Sequence, residues 1–320
     1  MSDQENDRMD HAALNRRGML MRCASWAGTA ALYTMTSGVA SSISLDAALA
    51  VKPGYGKTKP FTFLQISDTH LGFDKAANPD ARGTALAAIA KIKALPQRPD
   101  LIIHTGDITH LSKDEQFDDA KMILGDLGTP IFYVPGEHDF LDEGQGKAFL
   151  AHYGKDTLGT GWYSFDHNGV HFVALNNVAN LKPGGMAHLG EEQLAWLRKD
   201  LAALSSSTPI VVFGHIPLWT VYEAWGWGTD DSAQALAYLQ RFGSVTVLNG
   251  HIHQIIQKVE GNISFHSARS TAYPQPAPGA APSPGPLKVP TEQLPTMLGI
   301  RTANFVRGSA PIALIDTSLA

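Results

Sequence analysis

The sequence predicts an α/β fold, with a largely parallel sheet early on and mixed strand pairing later. Three observations carry that expectation. From residue 61 onward, short apolar runs of strand length alternate with helical patterns, as βαβ units do. Beyond residue 160, turn signals of the hairpin type enter. Clusters of Asp, Glu and His sit where the strand runs end, and in open α/β sheets that edge receives ligands.

Taken in order, Phe61 to Ser67 reads as a buried strand and Ala81 to Leu95 as a helix with an Ala/Ile/Leu face. Leu101 to His104 is a second short buried strand, and Glu115 to Leu127 a helix. Ile131 to Val134 is a third strand, stopped by Pro135-Gly136. Trp162 to Phe165 and Val170 to Leu175 flank Asp166-His167-Asn168-Gly169 and predict a hairpin with an Asn-Gly turn. Glu191 to Leu204 is an amphipathic helix, and Ile210 to Phe213 and Val245 to Leu248 are buried strands. A second hairpin is expected around Glu260-Gly261-Asn262. Residues 273 to 290 are rich in Pro, Gly and Ala without periodicity, an extended loop or arm, and Ala310 to Ile315 can return as a last strand.

Composition narrows the function classes. A chain of 320 residues with 44% hydrophobic and 17% charged residues can bury a full core, and is neither a coiled coil nor a disordered chain. A formal net charge of -5 gives no broad basic surface for nucleic acid. A single cysteine, Cys23, excludes a disulfide framework within the chain.

Residues 1–50 differ from the rest. A polar stretch ends in Arg16-Arg17, a mildly apolar Ala/Ser/Thr/Gly run follows from about Ala24, and Ala48-Leu49-Ala50 has the small-x-small form that a signal peptidase cuts. The arginine pair resembles a twin-arginine signal, although Gly18 and Met19 fit its consensus loosely. Thr29, Thr34, Thr36 and Ser37 interrupt the run, so no stable membrane span is expected. The expected organisation is a signal peptide (1–50), a linker (51–60), a catalytic domain (61–272), a Pro-rich loop (273–290) and a C-terminal segment completing the domain (291–320). Export to the periplasm or the extracellular space follows, in a mature chain without cysteine.

The chemistry lies in five strand-end clusters: Asp68-Thr69-His70, Gly106-Asp107, Gly136-Glu137-His138-Asp139, Gly214-His215-Ile216-Pro217 and Gly250-His251-Ile252-His253. Each is weak alone, since an Asp-x-His is common and a Gly-Asp pair is mostly a turn. Together and in this order they point to one site. Imidazole and carboxylate without thiolate suit zinc, iron or manganese. Two such ions close together clamp the attacking and leaving oxygens of an in-line displacement, and a shared carboxylate offsets their repulsion.

The ordered set resembles the signature of the calcineurin-like metallophosphoesterase superfamily over roughly residues 61 to 270. The resemblance implies a single domain of two mixed β-sheets packed face to face with flanking helices. It implies a first metal held by Asp68, His70 and His253, a bridging Asp107, and a second metal completed by His215 and His251. It also implies attack of a metal-activated hydroxide on phosphorus in a small phosphorylated substrate, a phosphomonoester or small phosphodiester. His138 would stabilise the transferring oxygens or protonate the leaving group, with Asp139 orienting its ring. One position departs: Glu137 stands where the family has Asn. As a ligand of the second metal it would bring a third carboxylate and favour a mixed pair of Fe(III) with a divalent ion. The alternative is that Glu137 points away from a weak second site, in a non-catalytic or weakly catalytic exported metal-binding protein. A dinuclear oxidoreductase has no supporting cofactor motif.

Other residues carry two readings each. His104 and His110 flank the Gly-Asp motif and read as structural rather than functional. Trp219, Tyr222, Trp225 and Trp227 either roof the site or form a packed surface loop. Arg269, between Ser267 and Ser270, either contacts a phosphate or faces solvent.

Overall fold

The computed structural model describes residues 31–36, 39–44, 60–182, 184–306 and 312–320. Two units separate, Met1–Gly54 and Tyr55–Ala320. In the first, strands β1 (Ala31–Thr36) and β2 (Val39–Ser44) pair antiparallel, Ala31 opposite Ser44. The twin-arginine pair and the small-x-small site lie outside the described residues. Among the described residues no helix is long and apolar enough to cross a membrane.

The second unit holds two sheets. One has five strands in the order β13 (Ala313–Ser318), β12 (Gly299–Phe305), β3 (Phe61–Ile66), β4 (Leu101–His104), β5 (Ile131–Tyr133). Here β3, β4 and β5 run parallel, and β12 joins β3 antiparallel. The other has six strands in the order β10 (Gln257–Glu260), β11 (Ile263–Ser267), β9 (Val245–Asn249), β8 (Ile210–Phe213), β7 (Val170–Ala174), β6 (Tyr163–His167). Its hairpins β6–β7 and β10–β11 are antiparallel around a parallel centre, so both sheets are mixed.

The strands read as unbroken apolar runs because both faces are covered. In β3, Phe61 and Phe63 face the other sheet and Leu64 and Ile66 face helices. Between the sheets, Phe63 and Phe172 meet edge to face at 5.3 Å, within a core shared with Ile103, Val211, Phe213 and Leu248. Truncating either ring to Ala would cost about 3–5 kcal/mol. Outside the first sheet lie α1 (Ala81–Lys93), α2 (Asp114–Gly125) and α3 (Lys147–Tyr153), through residues such as Ile89, Phe117 and Phe149. Outside the second lie α4 (Glu191–Ala202) and α5 (Ser232–Leu239), through Leu194, Leu197 and Leu239. Asp80 caps α1 by accepting the Gly83 N–H at 2.7 Å.

Two sequence expectations are corrected. The last strand spans Ala313–Ser318 rather than 310–315, and it pairs with β12, a strand that the sequence pattern does not announce. Arg301 in the middle of β12 looks out of place in a buried strand. It is 1% exposed because its guanidinium donates to both Asp316 carboxylate oxygens (2.8 and 3.1 Å) and to the Ser267 carbonyl (2.9 Å).

Candidate metal centre

The parallel strands β3, β4, β5 and β8, β9 all point their carboxyl ends at one edge, so the five polar clusters arrive there as loop starts. Backbone bonds join the loops: Asp68 N–H donates to the Gly106 carbonyl (3.0 Å), His70 N–H to that of Asp107 (2.9 Å), and Gly250 N–H to that of His215 (3.0 Å). The backbone there is left-handed at Asp68, His70, Asp107, His251 and His253, with φ between 41° and 68°. That conformation costs a non-glycine residue about 1–3 kcal/mol and persists where surrounding contacts impose it. Gly106 has φ +91°, and a Cβ there would lie 2.5 Å from His215 Nδ1 and 2.7 Å from Gly136 N, so only glycine lets the loops close.

Two donor groups result. In the first, His253 Nε2 lies 3.2 Å from Asp68 Oδ1, and His70 Nε2 lies 3.4 Å from both His253 Nε2 and Asp107 Oδ2. In the second, Glu137 stands between His215 Nε2 (2.8 Å) and His251 Nδ1 (2.9 Å). Asp107 Oδ2 is also 3.4 Å from His215 Nε2, so one carboxylate oxygen faces both groups. Asp107 Oδ1 is occupied by the His138 N–H (2.9 Å), and Asp68 Oδ1 accepts the His251 N–H (3.1 Å). Behind the donors, His215 Nδ1–H donates to the Thr105 carbonyl (2.7 Å) and His253 Nδ1–H to that of Tyr273 (2.6 Å). Both rings therefore present Nε2 forward, as outer partners do for metal-binding histidines.

The residues fit a cation pair on one observation above the rest. His215 Nε2, Glu137 Oε2 and His251 Nδ1 are buried without a hydrogen-bond partner, although they approach within 2.9 Å of each other's groups. Buried polar atoms are rarely left unpaired. Imidazole and carboxylate groups crowded at 2.8–2.9 Å have the arrangement of ligands around a common ion, and these sets fall within one ion's reach. Burial opposes ionisation of Glu137, but His251 and His215 outweigh it and hold the carboxyl well below its usual range. Burial likewise opposes charging His215, but Asp107 and Glu137 raise it well above the ordinary value.

All nine residues named from the sequence lie at this edge, but Asp139 does not orient His138. The Asp139 carboxylate is fully buried and accepts from the backbone N–H groups of Ile108 (3.0 Å), Thr109 (2.8 Å) and Gly136 (3.0 Å) and from Thr109 Oγ1 (2.9 Å). It ties the β5 loop to the β4 loop. Burial and then Asp107 push it up to about 7, against the pull of those donors. The partner of His138 Nδ1–H is the His110 carbonyl at 2.8 Å, and the two rings stack at 4.7 Å. His138 is raised despite burial by the Asp107 and Glu137 carboxylates.

The site opens into a cavity of about 520 Å³. His110 lines it, whereas His104 is buried behind it, stacked on Tyr133 and lowered by burial to about 3. The aromatic stretch divides: Trp225 and Trp227 line the cavity, Tyr222 packs edge-on against Trp225, and Trp219 is in the core against Phe265. Arg269 donates to the Thr296 carbonyl at 3.0 Å and is no part of the cavity wall. Ser270 Oγ supports the site from behind, donating to the Asp68 carbonyl at 2.8 Å. The sequence leaves open whether the Pro-rich arm folds over the site or onto a partner. Tyr273, Gln275, Pro284 and Pro286 line the cavity together with Trp225, and Gln275 Nε2 donates to the His251 carbonyl at 2.7 Å.

Comparison with known proteins places these features. A family model described as calcineurin-like phosphoesterase matches residues 61–255. A 3',5'-cyclic-nucleotide phosphodiesterase of Nostoc sp. is 26% identical over 220 residues, 67% of this chain and 79% of that protein. A glycerophosphodiester phosphodiesterase of Enterobacter lignolyticus is 26% identical over 207 residues, 59% of this chain and 70% of that one. A dimetal phosphatase from Danio rerio shares the fold, with a TM-score of 0.59 and 14% identity over 81% of this chain and 96% of its own.

Proposed function

The chain belongs to the calcineurin-like phosphoesterases, a family of dinuclear metal-dependent phosphoric ester hydrolases, and from that premise we propose that it hydrolyses a small phosphodiester. The observation that carries the reading is the pair of donor groups sharing Asp107 at the floor of a cavity with apolar walls. Asp68, His70 and His253 would hold one ion, Glu137, His215 and His251 the other, and Asp107 both. When bound, such a pair supplies Lewis acidity and an activated water at neutral pH.

The chain's own residues do the rest. His138 has Nδ1–H fixed on the His110 carbonyl, which leaves Nε2 to give a proton to the departing alkoxide. Against the opposing effect of burial, the Asp107 and Glu137 carboxylates raise the ring above its ordinary value. Trp225, Trp227, Pro284 and Pro286 line the cavity and offer flat apolar surface to the organic arms of a diester. The two curated relatives named above act, by their names, on cyclic nucleotides and glycerophosphodiesters, both small diesters. Glu137 in the place of a neutral Asn adds negative charge at the second ion, and an iron(III)–divalent pair suits three carboxylates better than two zinc ions.

The test is metal content by mass spectrometry with bis-p-nitrophenyl phosphate turnover on the same sample, wild type beside Glu137→Asn. The expected result is two metals per chain, metal-dependent turnover, and a turnover that is changed but not abolished in the variant. Turnover confined to the Asn variant would mean that this chain binds metal without hydrolysing diesters.

A further inference from the structure

Tyr273 opens the Pro-rich arm and belongs to none of the five strand-end clusters. It is 3% exposed, and its hydroxyl meets the ligating face of a histidine: Oη is 3.1 Å from His70 Nε2. The same nitrogen lies 3.4 Å from Asp107 Oδ2 and from His253 Nε2, and His253 Nε2 lies 3.2 Å from Asp68 Oδ1. Ligand atoms about 2.0–2.2 Å from a shared ion stand roughly 3–3.5 Å from one another, in tetrahedral or octahedral shells alike. Tyr273 Oη thus stands at ligand spacing from one of these donors, His70 Nε2.

We propose that Tyr273 Oη is a further ligand of the first metal, beside Asp68, His70, His253 and Asp107. The proposal rests on the assignment of those four residues to a metal. The rest of Tyr273 is built to hold that position. Its ring stacks on His70 with centroids 4.7 Å apart and packs on Phe73 at 4.4 Å. Its carbonyl accepts the His253 Nδ1–H at 2.6 Å, and its N–H donates to Ser270 Oγ at 3.2 Å. Ser270 Oγ in turn donates to the Asp68 carbonyl. One residue therefore sets His253, touches His70 and is tied to Asp68. On coordination the phenol O–H bond breaks, its proton passes to solvent, and the Oη–metal bond forms. The first metal then carries oxygen anions from Asp68, Asp107 and Tyr273, a donor set suited to a hard trivalent ion such as Fe(III). Because Tyr273 is also the root of the arm, the metal would anchor the wall of the cavity.

The test uses the full chain, stripped of metal, as wild type and Tyr273→Phe, which keeps the ring, the N–H and the carbonyl. Each is titrated with Fe(III) and followed by visible absorption, and titrated with Zn(II) by calorimetry. The expected results are a phenolate-to-iron absorption band in the wild type that the variant lacks, and a roughly 10- to 100-fold weaker first Zn(II) site in the variant. Unchanged far-ultraviolet circular dichroism and melting temperature would show that the variant is folded. A band that survives in Tyr273→Phe, or two ions bound equally well by both proteins without a band, overturns the proposal and leaves the dinuclear reading intact. A wild-type chain that binds neither ion overturns both.

Discussion

Two histidine–carboxylate clusters in this molecule have similar composition and opposite character. At the strand ends, His215 and His251 flank Glu137, yet His215 Nε2, His251 Nδ1 and Glu137 Oε2 have no hydrogen-bond partner. On the second sheet, His171 donates from one nitrogen to Asp166 (2.8 Å) and from the other to Asp200 (2.9 Å), and Ser164 donates to Asp200 (2.8 Å). The backbone differs in the same way. His171 and Asp166 lie in strands and Asp200 in a helix, whereas at the strand-end site Asp68, His70, Asp107, His251 and His253 are left-handed. A satisfied cluster on regular backbone stabilises the fold. An unsatisfied one on strained backbone is held there by the fold and is completed by something that binds.

The largest effect that could break this contrast is at Asp107. Asp107→Asn keeps the shape but removes the negative charge shared by the two donor groups. Diester turnover is expected to fall about 10⁴-fold, or ~5.5 kcal/mol of transition-state stabilisation, with fewer metals per chain by mass spectrometry. The metal-free variant should melt no lower than the metal-free wild type, because the charge serves the ion rather than the fold. Turnover within tenfold of wild type would remove the functional side of the contrast.

Next in size is His138→Ala, where a positioned acid is lost but no donor of either group. A fall in kcat of about 10²–10³ is expected, within the range for general acid catalysis, with metal content unchanged. Substrates with a good leaving group, such as nitrophenyl esters, should lose less than those with an alkoxide leaving group. An equal loss for both would assign His138 to binding rather than to proton transfer.

The site was legible in the sequence because its residues follow apolar strand runs directly, so type and position in the chain already place Asp68, Asp107 and His215 at one edge. Legibility ended where tertiary contacts decide. Asp139 reads as a partner of its neighbour His138, but the short 3-10 turn of Glu137–Asp139 aims its carboxylate at the N–H groups of Ile108 and Thr109, thirty residues away in the chain. Strand β12 was hidden by Arg301, whose charge is neutralised by Asp316 in the adjacent strand. Tyr273 and Gln275 sit in a segment without periodicity. Their places come from bonds such as Gln254 Nε2 to the Pro276 carbonyl (2.7 Å), which no local pattern encodes.

The smallest effect sharpens the contrast from the structural side. Burial disfavours charge on His171, but its hydrogen bonds to Asp200 and Asp166 prevail and raise it above the ordinary value. A histidine that binds its proton more tightly folded than unfolded adds stability that is complete below the unfolded pKa, about 6.5. That stability is lost as pH rises through the raised folded value. In Asp200→Asn the charged partner is gone, which should cost about 1.5–3 kcal/mol at pH 6, the range for a hydrogen bond to a charged group. The gap between wild type and variant should narrow toward pH 9, read as urea midpoints at both pH values. Diester turnover of the variant should match wild type wherever both are folded. A gap that stays constant with pH would mean that His171 is neutral in the fold. The second cluster would then be held by neutral hydrogen bonds alone, and its difference from the first would lie in satisfaction rather than in charge.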